Sequence, residues 1–535
     1  MISESPFLIK PGQLRLVELR KIYEGSYKTL ALAEESKRNI FRSQSVVQKI
    51  AAQDKSVYGI NTGFGRLANQ KIGREDLSTL QHNLILSHCA GVGEWLDNNT
   101  VRLISAIKIA SLGRGHSGVR VEILTALLEL LNQGYYPCIP AKGSVGASGD
   151  LAPLAHLVAP LIGAGYVRHK DKIISGSEAL AQCGIKKFTL LPLEGLSLLN
   201  GTQVSTALAL KAYFKIEDIF SAALVAGALS VDALEGSDTP FDRRIHELRG
   251  QEGQIVVARA LKELLKNSEI RASHRNCLKV QDPYSLRCQP QVMGACLDQM
   301  LFVADKLEIE ANAVTNNPVV LFDTEEVLSG GNFHAEPVAF AADLLAIVIT
   351  EIASLSERRI SLMMDPAFSG LPPFLVKNSG LNSGFMIAHV TAAALVSENK
   401  SRAFPCSVDS IPTSGNQEDH VSMATHAAFR LTEMADNTAH VIAIELLAAC
   451  QAIDFRHPLV SSDTLQAIHK KIRSLVPHYE QDRYFADDME VIKQHIVKEK
   501  ISPFFVKNFL PSYKPNNPVN PKRNKHYEYI QPACA

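Results

Sequence analysis

Residues Gly201 to Leu234 read GTQVSTALALKAYFKIEDIFSAALVAGALSVDAL. Ala, Leu and Val dominate, polar residues recur only intermittently, and no Gly-Asn hairpin signal interrupts the run, so the stretch is predicted to be one long helix. Four further stretches share this character: Gln291 to Ala313, Ala335 to Leu362, Gly384 to Ser401 and Gln417 to Ile453. Each exceeds the average helix of roughly 11–12 residues. They are apolar around much of their circumference, which places them at the centre of a bundle or at a subunit interface. The pattern predicts a mainly α protein built on a long central helical bundle, and an oligomer.

Outward from this core the chain changes character twice. The first two hundred residues hold shorter helical runs joined by Gly-rich connectors at 58–65, 91–93 and 143–149, and Lys172 to Ser175 reads as a strand of a small hairpin. Pro511 to Lys525 is rich in Pro, Asn and Lys without periodicity and reads as a flexible or surface-draped tail. The expected organisation is a smaller, loop-rich N-terminal domain over 1–200, the helical bundle over 201–480 and a C-terminal extension over 481–535. No repeat of ~20–50 residues is evident.

Lys+Arg 55 balances Asp+Glu 55, so no global field favours nucleic acid or an anionic membrane; a small-molecule substrate fits better. The start, MISESPFLIKPGQLRL, lacks a basic segment followed by an apolar one, and Val338 to Leu355 is broken by Asp343 and Glu351. Neither a secretory signal nor a membrane span is expected. The nine cysteines, at 89, 138, 183, 277, 288, 296, 406, 450 and 534, form no CxxC pair. Free thiols in a reducing cytoplasm, and no metal site, are the expectation.

Chemistry is concentrated in Gly143-Ser144-Val145-Gly146-Ala147-Ser148-Gly149-Asp150. Taken alone, the segment is an ordinary helix start, with Ser148 or Asp150 as cap and Pro153 in the first turn, or an anion site at that start. A reactive reading stands beside it. For a backbone amide nitrogen to attack the carbonyl two residues back, the attacking residue must lack a Cβ and the attacked one must be small. A serine between them can lose water to leave an exocyclic methylidene. Ala147, Ser148 and Gly149 supply the three roles in order.

Gly146-Ala147-Ser148-Gly149-Asp150-Leu151-Ala152-Pro153-Leu154-Ala155-His156 resembles the signature of the aromatic amino acid ammonia-lyases and aminomutases, and the resemblance extends in order from about Val57 to Phe455. It implies a fumarase/aspartase-like helical architecture. It also implies a methylidene-imidazolone self-formed from Ala147-Ser148-Gly149, with no external cofactor or metal. Such an electrophile answers a chemical need. One positioned acid or base contributes about 10²–10⁴-fold, whereas enzymatic accelerations commonly reach 10⁶-fold or more. A covalent electrophile supplies the difference; bonding to the substrate amino group is favoured over the ring.

The same resemblance assigns the surrounding residues. Tyr58, in Val57-Tyr58-Gly59-Ile60-Asn61-Thr62-Gly63, matches the tyrosine that takes the β-proton; with an unperturbed pKa of ~10 it needs a cation or a helix dipole to act near neutrality. Asn200, in Leu199-Asn200-Gly201, matches a contact to cofactor and substrate. In Gln281-Asp282-Pro283-Tyr284-Ser285-Leu286-Arg287, Arg287 would hold the substrate carboxylate as a planar fork, with Gln281 and the catalytic Tyr284 beside the cofactor. Phe333 matches an aromatic neighbour of the cofactor, and His334 reads as structural.

Ser87-His88 and the catalytic Glu418, in Ser414-Gly415-Asn416-Gln417-Glu418-Asp419-His420, resemble the histidine-specific members: a polar partner suits an imidazole ring, and Glu418 would pair with that ring or act as a base. The implied reaction is elimination of ammonia from L-histidine to trans-urocanate, the first step of histidine degradation, in a cytoplasmic homotetramer with shared active sites. Tyrosine or phenylalanine lyases and aminomutases with the same cofactor, and a catalytically silent helical scaffold, are the rival readings. One departure is Asn316, in Thr315-Asn316-Asn317-Pro318, where many relatives carry Asp.

Overall fold

A 31-residue helix, Gln203–Ala233, runs through the centre of the computed structural model, which describes residues 5–53, 56–274, 280–498 and 501–514. Only Lys211 and Lys215 along it escape full burial, and each ends in an ion pair, to Asp97 and Asp436. Its apolar circumference is covered by Ala424–Asp454, by Glu336–Met364 and by Gln289–Ala311. Met386–Arg402 packs outside the second and third long helices, and Glu252–Leu264 lies against Gln289–Ala311. The observed helices match four of the five expected stretches to within two residues.

Polar groups fix the level at which these helices meet. Arg359 and Glu445, both fully buried, form a two-pronged ion pair, and Glu445 also accepts from Ser230 (2.7 Å) and Ser356 (2.5 Å). The carboxylate thus joins Gln203–Ala233, Glu336–Met364 and Ala424–Asp454. The desolvation of a buried ion pair offsets much of its attraction, so the further hydrogen bonds to Glu445 are what make its burial tolerable.

The fifth stretch begins later than expected. Residues 417–423 are not helical: a tight turn at Ser414–Asn416, with Met423 at φ 55°, precedes the Ala424–Asp454 helix. Apolar periodicity alone could not separate this turn from the helix it feeds. The expected tail is also corrected where it is described. Ser512 is buried and its N–H donates to Glu217 (3.2 Å), while Arg20 lies over the Tyr513 ring at 4.3 Å; the start of the Pro511–Lys525 stretch is therefore anchored rather than draped. Residues 515–525 lie outside the described residues.

Strands are short and peripheral. Phe7–Ile9 pairs in parallel with Leu30–Leu32, and Val319–Leu321 forms a hairpin with Glu326–Leu328. The expected hairpin at Lys172–Ser175 is present, paired with Tyr166–His169 through a two-residue turn whose Lys170 and Asp171 both have positive φ, as its twist requires. Val92–Trp95 pairs with Pro140–Lys142 and so delivers the chain to Gly143. Glu336–Met364 is long and apolar enough to cross a membrane, but 72% of its most apolar window is buried inside the protein, as a core helix. The seven described cysteines are unpaired; Cys277 and Cys534 lie outside the described residues.

Candidate active site

Four helices begin around residues 143–150. Asp150 leads directly into Leu151–Val158. The N–H of Ala335, just before Glu336–Met364, donates to the Gly146 carbonyl (3.2 Å), and Met423, just before Ala424–Asp454, donates to Val145 (2.8 Å). Gly149 bridges Gly201, and the Asp150 N–H donates to the Gly201 carbonyl (2.7 Å) at the start of Gln203–Ala233. Helix N-termini carry the positive ends of their dipoles, so this convergence favours anionic groups at the loop.

Asp150 binds this junction together, and not as the cap of its own helix. Its fully buried carboxylate accepts from the Ser205 N–H (2.8 Å) and hydroxyl (2.9 Å), from Thr425 (2.7 Å) and from Ser144 (3.0 Å). It therefore caps the first turn of Gln203–Ala233, 55 residues away, and ties it to Ala424–Asp454. Glycine is obligatory at 149: φ is +71°, and a Cβ there would lie 2.2 Å from the Gly201 carbonyl oxygen.

Ser148 sits between two side chains named by the sequence. The Asn200 amide donates to the Ser148 carbonyl oxygen (2.9 Å) while its own oxygen accepts from the Asn317 N–H (2.6 Å), which fixes the orientation of the amide. The Ser148 hydroxyl donates to Glu418 Oε1 (2.5 Å), and Glu418 Oε2 accepts from Thr413 (2.6 Å) and Ser414 (2.9 Å). Burial opposes the charge on Glu418, but these hydrogen bonds and nearby His88 outweigh it and hold the carboxyl below its ordinary range.

His88 lies at the C-terminal end of the Leu77–His88 helix, where Nδ1 contacts the Leu84 carbonyl at 2.8 Å. That contact requires the proton on Nδ1 and leaves Nε2 as an acceptor. Burial lowers the His88 pKa, outweighing the opposite pull of the Leu84 carbonyl and of Glu418. Tyr58 accepts from the Gly65 N–H (3.4 Å), and burial together with Glu418 raises its pKa. Within one chain, then, the expected lowering of Tyr58 by a cation or helix dipole does not occur.

Phe333 is half-buried two residues before Ala335, whose N–H binds Gly146. Gln281, Tyr284 and Arg287 lie elsewhere. Arg287 Nε donates to the Asp282 carbonyl (2.9 Å), its guanidinium stacks on Tyr284 (4.7 Å), and Asp282 accepts from the Ser237 N–H (2.7 Å). Ser237 follows the C-terminal end of Gln203–Ala233, whereas Asn200 precedes its start. At 1.5 Å per residue the 31-residue helix separates the two groups by about 46 Å.

Two supporting residues escaped the sequence reading. Lys108, on Asn98–Gly113, is 1% exposed and donates to the carbonyls of Ser197 and Asn200 (both 2.8 Å) and to Gln203 (3.4 Å). Burial lowers its pKa to about 7, against the pull of Asp150. Gln81 is fully buried, donates to the Gly59 carbonyl (3.4 Å) and accepts from the Leu196 N–H (3.2 Å), linking the Tyr58 loop to the helix that leads into Asn200. The signal available for Lys108 is its place in the apolar run Ala106-Ile107-Lys108-Ile109-Ala110. Asn316 accepts from Ser117 (3.1 Å) and donates to the Pro318 carbonyl (2.8 Å), so both polar atoms of its amide have partners.

The Ala147-Ser148-Gly149 loop, held between helix starts in a bundle of this kind, lies in a carbon–nitrogen lyase. The profile of the family described as aromatic amino acid lyase matches residues 14–474, and the chain belongs to that family. The histidine ammonia-lyase of Burkholderia cenocepacia is 58% identical over 499 residues, covering 93% of this chain and 98% of that protein. Among solved structures, histidine ammonia-lyase from Trypanosoma cruzi superposes with a TM-score of 0.87 at 39% identity, covering 96% of this chain and 98% of that one. Tyrosine aminomutase from Streptomyces globisporus gives 0.87 at 35% identity, covering 93% and 98%.

Proposed function

We propose that the chain eliminates ammonia from L-histidine to give trans-urocanate, through a methylidene-imidazolone formed from its own Ala147, Ser148 and Gly149. The observation that carries the reading is the position of Ser148, bonded at its carbonyl by Asn200 and at its hydroxyl by Glu418. In forming the ring, the Gly149 nitrogen bonds the Ala147 carbonyl carbon, whose oxygen leaves as water with the protons of the Gly149 and Ser148 amides, so that this carbon becomes doubly bonded to the Ser148 nitrogen. The Ser148 hydroxyl leaves with the Cα proton as a second water. Such a ring would supply an electrophilic double bond toward the substrate amino group, held in place by Asn200 at the Ser148 carbonyl.

Each neighbour has a task. Asn200 donates to the Ser148 carbonyl oxygen, which is conjugated with that double bond and gains charge when it reacts. Loss of the Ser148 hydroxyl frees Glu418 Oε1, an ionised acceptor, for the substrate imidazole. His88 offers its Nε2 lone pair to the same ring. Tyr58 accepts the β-proton.

One chain cannot assemble the whole site, because Gln281, Tyr284 and Arg287 sit about 46 Å away along a single 31-residue helix. A neighbouring copy supplies them, with Arg287 binding the substrate carboxylate and bringing the cation that Tyr58 lacks. Apolar side chains left exposed on the long helices support such contacts: Phe302, Ile309, Phe340, Ile347, Ile387 and Val390. Closed symmetry of this kind suits the homotetramer implied by the family resemblance. Incubating the protein with L-histidine, L-tyrosine and L-phenylalanine tests the substrate: urocanate from histidine alone supports it, and ammonia released only from tyrosine or phenylalanine would refute it.

A further inference from the structure

Beside the loop that carries Glu418, three potential ligands converge from two parts of the chain. His334 and Glu336 flank the start of the Glu336–Met364 helix, and His420 lies two residues beyond Glu418. Glu336 Oε2 is buried and accepts no hydrogen bond. His334 Nδ1 stands 3.9 Å from it and His420 Nε2 4.0 Å, too far for hydrogen bonds, and all three atoms lie within 4.8 Å of one another. The two imidazoles are parallel within 8°, with centroids 5.6 Å apart.

The protonation pattern also suits a cation. His334 Nε2 contacts the His420 carbonyl oxygen at 3.2 Å, which calls for the proton on Nε2 and leaves the Nδ1 lone pair facing Glu336. Metal-binding histidines are oriented in this way, by a donated N–H to a carbonyl on the far side of the ring. In a tetrahedral zinc site with bonds of about 2.0–2.2 Å, ligand atoms stand roughly 3.4 Å apart. Small rotations of the side chains, His420 being 69% exposed, would close the observed gaps.

We propose that His334, Glu336 and His420 bind a divalent cation of the zinc type, leaving one position to water. The ion would satisfy the orphaned Glu336 oxygen. It would also clamp the Glu418 segment to the helix start beside Phe333, as a positioning device rather than a participant in the elimination. The donor set is two imidazoles and a carboxylate, which favours zinc or cobalt over calcium or magnesium.

The test uses full-length protein, stripped with a chelator and equilibrated with Zn²⁺ or Co²⁺. One ion per chain is expected, with an affinity that falls more than about tenfold in His334→Ala and in His420→Ala. The Co²⁺ form should show ligand-field absorption without a thiolate charge-transfer band, and Zn²⁺ should raise the melting temperature of the wild type but not of His420→Ala. Circular dichroism of the metal-free variants separates lost binding from lost folding. Unchanged uptake in the folded double variant, a thiolate band in the wild type, or no uptake by folded wild type would overturn the proposal. These readouts are independent of lyase activity.

Discussion

Asn200 and Ser148 are joined by a 2.9 Å hydrogen bond from a side-chain amide to a backbone carbonyl across 52 residues of sequence. The amide cannot flip without losing the Asn317 N–H that its oxygen accepts. A donor held this firmly costs no reorganisation when charge builds on its acceptor. Asn200→Ala should therefore fold and lower kcat by about 10²–10³-fold, the range for loss of one such donor. Steady-state kinetics with L-histidine check this, and a change confined to KM would contradict it.

Lys108 secures that donor from behind. Replacing it with Met leaves the Ser197 and Asn200 carbonyls buried without a partner, at about 1–3 kcal/mol each. The expected result is a lower melting temperature together with a smaller fraction of chains that have lost two waters, read by intact mass. A Lys108→Met protein with wild-type stability and complete cyclisation would show that the lysine positions nothing.

Gly149→Ala should abolish cyclisation. The left-handed φ of +71° costs a residue with a Cβ about 1–2 kcal/mol, and the contact 2.2 Å from the Gly201 oxygen adds to it. Peptide mass mapping of residues 143–156 reads the outcome directly; a dehydrated ring in this variant would mean that the close approach is not required.

How far these features were legible depended on whether the signal was local. The long helices were, because an apolar run such as 203–233 carries its own periodicity. Glu418 is legible through the resemblance, but the turn that presents it is not, since Gln417 to Met423 runs on into the apolar pattern of the helix that follows. Local sequence offers Ser148 or Asp150 as the cap of the helix that follows, whereas Asp150 caps one beginning 53 residues later. The separation of Arg287 from Ser148 was invisible for a similar reason: it follows from the direction of one straight helix, not from any residue. His334 and His420 stand 86 residues apart, so their approach to Glu336 had no sequence signature.

Glu418 sets a pH dependence whose sign is fixed. Its carboxyl pKa is held below the unfolded value, with burial opposing and hydrogen bonds prevailing, of which those from Thr413 and Ser414 to Oε2 outlast the loss of the Ser148 hydroxyl. Its stabilising contribution is thus full above the unfolded carboxylate range and is lost as pH falls through the folded pKa. Chemical denaturation between neutral and acid pH should show a smaller loss of stability in Glu418→Gln than in the wild type. Identical curves would contradict the assignment.

If a neighbouring copy completes the site, two inactive proteins should rescue one another. Ser148→Ala and Arg287→Ala each remove one half, so co-expression places intact halves together in some mixed oligomers. Measurable urocanate formation is expected from the mixture and from neither variant alone, while an inactive mixture would place both residues in one chain's site.

The central claim is that Ala147, Ser148 and Gly149 become the reactive group, and the mass of the peptide containing them tests it most directly. The account predicts a peptide two water molecules lighter than its sequence in the wild type, the full mass for the two variant-blocked steps in Ser148→Ala, and urocanate formation only from the lighter form. An unmodified peptide in protein that still converts L-histidine to urocanate would contradict it.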